Sequence, residues 1–445
     1  MNCFKGEKIH FIGVGGVGVN ALARYVLDGG AKVSGSDAKF NGYCKKLAEL
    51  GADIYEGVNP KKIEGVDAVV YSSAIKPDNA ELAAAMKNKT PVFERQEFLH
   101  AVSEDFKTVV GIAGTHGKTT TTAMTAHILL MCRKNFVAMI GGSSVDFGNY
   151  VNNNGGDIFL AEACEYKRNF LSLKPTVAVV TNVECDHPDC YSTYGEIKLA
   201  FDEYLAAAPN KISLKSDSGS LWEISCECGG VRETLCAEMT DNACALYLDG
   251  AYVGSVRLKD GGDYDFKNAT FAIATAKALG VSVKDSIRAL TSFAGVARRY
   301  EFAGEIDGVP IYFDFAHHPT EIACVLKRAK KRGKSLVVFQ PHTYSRTKAY
   351  FEDFVKVFGE DGSIGALIFM PTYAAREKFD AEFESDALAR AIVRRYGRQN
   401  TYVAKDAASA VEFAKRLSAS HDTVLFVGAG DIYDIKAAYF DKSQK

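Results

Sequence analysis

The segment Gly111-Ile-Ala-Gly114-Thr115-His116-Gly117-Lys118-Thr119-Thr120 places glycines directly before a lysine and two threonines. Such a turn, after an apolar strand and at the start of a helix, can wrap a polyphosphate. Glycines let backbone amides close in, Lys118 reaches the β- and γ-phosphates, and the Thr119 hydroxyl can hold Mg²⁺. The loop is two residues shorter than the usual G-x-x-x-x-G-K-[ST] form. A second turn, Gly13-Val-Gly15-Gly16-Val-Gly18, also follows an apolar run, and Asp37 ends the next one. Alone it fits an NAD-dependent oxidoreductase, but any nucleotide diphosphate can rest on such amides, and a ligand-free tight turn has the same pattern.

Acidic and imidazole groups cluster after other apolar runs. Glu162 and Glu165 follow one, and Thr181-Asn182-Val-Glu184-Cys-Asp186-His187 follows another. A phosphate-loop enzyme needs a carboxylate for Mg²⁺ at such strand ends, and His187 is a candidate second ligand. Asp314-Phe315-Ala316-His317-His318-Pro319-Thr320 and Gln340-Pro341-His342-Thr-Tyr-Ser345-Arg346-Thr347 complete the set. Five of the nine histidines fall in these loops, whereas core histidines would be spread more evenly. An arginine such as Arg346 suits a carboxylate through paired hydrogen bonds.

The elements that must carry these loops follow a repeated strand–helix rhythm. Residues 8–14, 32–36 and 68–72 read as strands, with a helix around 20–28. Pro91 and the polar stretch 103–107 mark a boundary. A second rhythm starts with a strand at 108–113 and continues at 158–161 and 177–181. Residues 211–262, rich in Ser, Gly, Asp and Cys, read as an irregular β excursion containing a strand at 245–248. A helix at 269–279 closes at Gly280. From Arg298 a third rhythm sets strands at 310–314, 335–339, 366–370 and 423–427. The expected fold is α/β, with three domains in 445 residues.

The charges nearly cancel, 53 basic against 55 acidic, which gives no footprint for nucleic acid. The basic run 327–334 reads as the solvated end of a helix. No apolar run reaches the roughly 18 residues of a membrane span, and residues 1–6 lack the apolar stretch of a signal peptide. Eleven cysteines suit a chain with reduced thiols in the cytoplasm. Cys226, Cys228, Cys236 and Cys244 lack paired CxxC spacing and read as small apolar residues, not zinc ligands. No signal for an oligomeric state is present.

GTHGKTTTT (114–122), the EA-x-E segment at 162–165, TNVECDH (181–187), DFAHHPTE (314–321) and QPHTYSRT (340–347), in this order, resemble the Mur ligase family. The resemblance runs from Gly13 to the Gly428-Ala-Gly430-Asp431 turn. It implies an N-terminal Rossmann-like UDP-sugar domain (1–106), a central phosphate-loop ATPase domain (107–297) and a C-terminal Rossmann-like domain for the amino acid (298–445). The implied reaction is ATP-dependent ligation of L-alanine to the lactyl carboxylate of UDP-N-acetylmuramate through an acyl phosphate, with domain closure excluding water.

By the same resemblance Gly13, Gly15, Gly16, Gly18, Asp37 and Ser72 serve the UDP-sugar. Gly114, Thr115, His116, Gly117, Lys118, Thr119, Thr120, Asp265, Asn268, Arg299 and Asp314 serve ATP. Thr119, Glu162 and His187 hold Mg²⁺, and Lys118, His317, His342 and Arg346 carry the chemistry. Tyr264 and Asp265 stand where the family has His and Asn, and Phe315 stands where a Tyr is common. Relatives carry a carbamylated lysine after the DH pair; Lys198 is out of register for it, and no modification is expected. The DFAHHPT form also occurs in the recycling murein tripeptide ligase of the family, whereas GVGGVG, QPHTYSRT and GAGDI favour alanine addition.

Overall fold

The computed structural model describes residues 4–187, 190–240, 243–259 and 261–440. Cys3 and parts of the expected N-terminal stretch and β excursion lie outside these residues. The chain forms two compact units, Met1–Asp186 with Cys190–Val296, and His187–Asp189 with Ala297–Lys445.

The first unit holds two sheets. The smaller has five parallel strands, β1 (Lys8–Ile12), β2 (Lys32–Asp37), β3 (Asp53–Glu56), β4 (Ala68–Tyr71) and β5 (Val92–Glu94), in the order β3-β2-β1-β4-β5. Helices α1 (Val17–Asp28), α2 (Gly42–Glu49), α3 (Ala80–Lys87) and α4 (Arg95–Ser103) connect them. The order reverses beside β1, so the first glycine turn sits at the switch point where open parallel sheets bind ligands.

Under this sheet Glu81, the second residue of α3, is fully buried. Its carboxylate accepts from Ser36 Oγ (2.5 Å), Tyr55 OH (2.6 Å) and the Asn59 amide (2.7 Å), and His10 Nε2 lies 3.9 Å away. Burial by itself would raise its pKa; the donors around it override that and hold it at about 2, below the ordinary 4.5. A depressed carboxylate stabilises the fold above its unfolded pKa and loses that contribution as pH falls through the folded one. Glu81 should therefore contribute up to about 3 kcal/mol at neutral pH, lost between roughly pH 4.5 and 2. Glu81→Gln should lower the melting temperature at pH 7 and flatten the acid limb of a melting-temperature-against-pH series. An unchanged limb would contradict this.

The larger sheet has ten strands, β6 (Thr108–Ala113), β7 (Phe136–Ser144), β8 (Gly148–Asn153), β9 (Ile158–Glu162), β10 (Val177–Val180), β11 (Asn210–Asp217), β12 (Leu221–Cys228), β13 (Val231–Thr240), β14 (Ala243–Leu248) and β15 (Ala251–Val256). Strands β7, β9, β6, β10 and β11 are parallel neighbours. The expected irregular excursion is instead a regular antiparallel meander, β11 to β15, continuous with this sheet. Its alternation is plain in retrospect: Trp222, Ile224 and Cys226 of β12 point inward while their neighbours are less buried. The abundant Ser, Asp and Cys masked that two-residue period. Burial raises the Cys226 and Cys244 thiols to about 12, as expected of small core side chains.

Helices α5 (Lys118–Met131), α6 (Tyr194–Ala206), α7 (Asp263–Ala278) and α8 (Val283–Leu290) cover the sheet. Helix α7 begins six residues before its expected start, because Asp265 accepts from the Gly262 amide (2.9 Å) and caps it. Helix α5 is buried from Thr119 to Leu129. Thr122 and Thr125 are tolerated there because they donate back to Lys118 O and Thr121 O (2.9 and 2.8 Å), which satisfies their buried hydroxyls.

The second unit carries one six-stranded sheet, β16 (Glu301–Ile306), β17 (Val309–Asp314), β18 (Ser335–Phe339), β19 (Ile364–Phe369), β20 (Thr401–Val403) and β21 (Thr423–Val427), in the order β16-β17-β21-β18-β19-β20. All pairs are parallel except β16 with β17. Helices α9 (Pro319–Lys330), α10 (Tyr344–Ala349), α11 (Phe351–Glu360), α12 (Ser385–Tyr396), α13 (Ala407–Ser418) and α14 (Ile435–Phe440) complete it. Alternate residues of each strand feed opposite cores: Val337 and Phe339 one, Leu336 and Val338 the other. Lysines 327, 330, 331 and 334 are exposed at the end of α9, as the basic run implied. Among the described residues no helix is long and apolar enough to cross a membrane.

Candidate active site

In the first unit, the turn after β1 brings Gly13, Gly15, Gly16, Gly18, Asp37 and Ser72 to the carboxyl ends of β1, β2 and β4. Gly13 has φ +80, and a side chain on it would press on Ser72. The Gly15 amide donates to Asp37 Oδ2 (2.8 Å), and Asn41 Nδ2 donates to Gly15 O (3.0 Å). A Cβ on Gly15 would lie 2.7 Å from Asn41 Nδ2 and 2.9 Å from Asp37 Oδ2, so a larger residue would displace the two side chains that hold this turn. Gly16 caps α1 with no side-chain partner for the helix amides. The Arg95 side chain packs over Gly18, so that a Cβ there would meet it at 3.2 Å. A cation therefore stands beside a helix N-terminus, a combination suited to phosphate. Arg95 escaped the sequence reading; its place just after β5, a strand end, is the signal that points to it.

The second turn joins β6 to α5. Gly114 (φ +135) and Gly117 (φ +84) adopt backbone that disfavours other residues, and side chains there would collide with Thr181 Oγ1 and Asn268 Oδ1. The loop is held from outside. His116 N donates to Asn182 Oδ1 (2.9 Å), while Asn182 Nδ2 and Thr181 Oγ1 donate to His116 O (3.0 and 2.7 Å). Glu184 N donates to Thr115 Oγ1 (2.9 Å), and His116 Nε2 lies 3.4 Å from Glu184 Oε2. Segment 181–184, singled out for acidic ligands, thus also braces the phosphate loop. Asn268 accepts from Thr121 (3.3 Å) and touches the loop at Gly117; Thr120 is buried beside it.

Lys118 Nζ points back into the loop, donating to Gly114 O, Thr115 O (3.1 Å) and Glu165 Oε1 (2.9 Å). Burial alone would lower its pKa, but the adjacent Glu165 carboxylate raises it, so the ammonium stays charged. Thr119 Oγ1 donates to Glu162 Oε2 (3.1 Å), and the Gly141 amide reaches the other carboxylate oxygen. Thr119 and Glu162 thus present hard oxygen donors side by side, which fits Mg²⁺. His187 has φ +54 and clusters with the second unit. Asp265 serves as the α7 cap, and Tyr264 lies partly exposed, 5.9 Å from Lys267 Nζ. Lys198 is exposed and paired with Asp202 (2.6 Å).

In the second unit the ends of β17, β18 and β21 gather the remaining residues. His317 Nδ1 donates to Phe315 O (2.9 Å), so in the neutral ring the proton sits on Nδ1 and Nε2 is the acceptor nitrogen. The His317 and His342 rings are 5.6 Å apart, and Tyr373 stacks on His342. Arg346 is 9% exposed and its Nη1 donates to His342 Nδ1 (3.2 Å). Burial, His317, Arg346 and Arg298 together push His342 down to about 3, so it is a neutral acceptor at working pH. Arg298, another residue the motifs did not single out, donates to Gly428 O and Gly430 O (3.1 and 3.0 Å) and lies over Phe315. Arg299 also lies against Phe315, at 5.2 Å. His318 caps α9, a structural duty.

Asp314 accepts from the Tyr300 and Ala316 amides (2.6 and 2.7 Å). Burial raises it to about 6 against the opposing pull of Arg299 and those amides. Since its charged form organises this loop, kcat/KM should fall as pH drops through about 6. Asp314→Asn should lower activity and abolish that limb. A limb that persists in the variant assigns it to another group.

The comparisons with known proteins agree with this geometry. Profiles of the Mur ligase family match residues 8–107 (Mur ligase family, catalytic domain), 112–215 (Mur ligase middle domain) and 298–430 (Mur ligase, glutamate ligase domain). A UDP-N-acetylmuramate–L-alanine ligase of Clostridium perfringens is 35% identical over 447 residues, 96% of each chain. The crystal structure of a UDP-N-acetylmuramate–alanine ligase from Thermotoga maritima superposes with a TM-score of 0.79 at 26% identity, covering 98% of this chain and 99% of that one. A murein peptide ligase from Psychrobacter arcticus shares the fold, with a TM-score of 0.66 at 22% identity over 98% of each chain. With three family profiles along its length, and this identity sustained from end to end, the chain belongs to the Mur ligase family.

Proposed function

We propose that this protein uses ATP to join L-alanine to the lactyl carboxylate of UDP-N-acetylmuramate, releasing ADP and phosphate, as a cytoplasmic step in peptidoglycan precursor synthesis. The observation that carries the reading is the glycine turn around a charged Lys118, in one chain with a buried arginine bonded to a neutral histidine. The full-length identity to an L-alanine ligase supports the choice of substrates. Residues 1–106 take the UDP-sugar, 107–297 ATP and 298–445 the amino acid. The NAD-dependent alternative leaves Lys118 and the histidine loops without a task.

A carboxylate does not form an amide in water unaided, so it must first be activated. The lactyl oxygen attacks the γ-phosphorus of ATP, the bond to the β-phosphate oxygen breaks, and an acyl phosphate and ADP result. Lys118 and the loop amides offset the charge on the transferring group. Thr119, Glu162 and His187 would hold Mg²⁺, which neutralises phosphate charge when bound. Gly13 to Gly18, Asp37, Ser72 and Arg95 hold the UDP moiety, and Asp265, Asn268, Arg299 and Asp314 serve the nucleotide. Arg346 anchors the alanine carboxylate. His317 Nε2 takes a proton from its ammonium. The amine then attacks the acyl carbon, and the tetrahedral intermediate breaks its C–O bond to phosphate, which leaves with the second amine proton.

Phosphate release with UDP-N-acetylmuramate against L-alanine, glycine, L-serine and the tripeptide L-Ala-γ-D-Glu-meso-diaminopimelate tests this. L-Alanine should be preferred. Preference for the tripeptide makes the protein a recycling enzyme, and no release with any of them refutes the reading. Thermal protection by UDP-N-acetylmuramate, with none by NADH, checks the first glycine turn.

A further inference from the structure

The chain leaves the first unit through residues 291–296, and every residue from Ser292 to Val296 is tied back to that unit. His127, in the C-terminal half of α5, hydrogen-bonds Ala289 O and Ser292 Oγ through Nε2, both at 3.1 Å. The Phe293 ring meets the imidazole edge-on, with centroids 5.5 Å apart. His127 Nδ1 lies 3.0 Å from Asp146 Oδ2, and the same carboxylate accepts from the Ala294 amide at 3.3 Å. Val145 N donates to Gly295 O (3.1 Å), and Ser144 forms an antiparallel bridge with Val296. The His127 side chain is 5% exposed, an unusual burial for a titratable group with no part in the proposed chemistry.

We propose that His127 and Asp146 are positioning residues for ligation: they clamp the segment 292–296, so that the chain gains its freedom only at Ala297, just before Arg298 and Arg299. This rests on the proposed function. Two features make the clamp consequential. Asp146 sits in the turn of the β7–β8 hairpin, and Gly141 and Gly142 of β7 touch Glu162 and Thr119 at the expected metal site. Gly295 has φ +104, a conformation glycine reaches without strain, and no side chain of its own anchors it, so the contacts of its neighbours fix the path of the segment. A loose segment would let the backbone leading to Arg298 wander, and reacting groups that are held less precisely cost rate.

Hydrogen exchange and steady-state kinetics on full-length His127→Leu and Asp146→Asn test this. Amides 294–296 should exchange about tenfold faster in both variants, while α5 keeps its protection. The kcat for ligation should fall by roughly tenfold, with the KM for ATP and the calorimetric affinity for ADP almost unchanged. The double variant should be no worse than His127→Leu. Unchanged exchange at 294–296 overturns the clamp, as does equal loss of protection in α5 with weakened ADP binding, which would mark His127 as a core residue only. Should His127→Leu not fold, Asp146→Asn, partly exposed and outside the helix, decides by the same readouts. If the wild-type chain shows no ligation, the proposed function fails, and the exchange data still judge the clamp.

Discussion

Lys118→Ala should abolish phosphate release, with kcat down by roughly 10³-fold or more. The residue is the one full positive charge aimed into the phosphate loop from its own helix, and phosphoryl transfer depends on such charge more than on covalent catalysis. The variant carries a confounding effect. Glu165 is almost wholly buried against Lys118, and removing the partner of a buried charge costs about 3–5 kcal/mol. Lost activity could then reflect a damaged fold. Lys118→Ala combined with Glu165→Gln separates the two: stability should largely return while phosphate release stays absent. Release near the wild-type rate in either variant would refute the ATP assignment of this loop.

Arg346→Ala should raise the KM for L-alanine by roughly 10²-fold, since truncating one side of a buried, hydrogen-bonded ion pair costs about 2–5 kcal/mol. ATP dependence should change little. Arg346→Lys keeps the charge and loses the fork, so an intermediate KM is expected. The neutral state of His342 strengthens the argument: as an acceptor for Arg346 Nη1 it orients the guanidinium without competing for the substrate's negative charge. Initial-rate titrations of alanine at saturating ATP and UDP-N-acetylmuramate measure this. An unmoved alanine KM would remove Arg346 from the amino-acid site.

Both residues were legible in the sequence, for different reasons. Lys118 lies in a contiguous turn whose glycines announce its backbone, with Gly114 and Gly117 at positive φ as that turn requires. Arg346 was legible from its company, an imidazole-rich loop after an apolar strand. Arg95 and Arg298 had no such company. Each acquires its role from a segment distant in the chain, Arg95 from Gly18 and Arg298 from the carbonyls of Gly428 and Gly430. The β11–β15 meander was misread because polar residues on its outer face hid the alternation, and because strand pairing is a non-local contact.

By itself the sequence determined the α/β rhythm, the two glycine turns and the residue types available for charge chemistry. These are local properties: strand period, glycine's access to positive φ, and side-chain identity. Tertiary structure decided which carboxylate each group meets, giving Glu165 to Lys118 and Glu162 to Thr119. It also decided that Asn182 and Asn268 brace the phosphate loop, and that Asp314 rises to about 6 while His342 falls to about 3. Burial and neighbouring charge set those properties, and both come from segments the chain must fold to bring together.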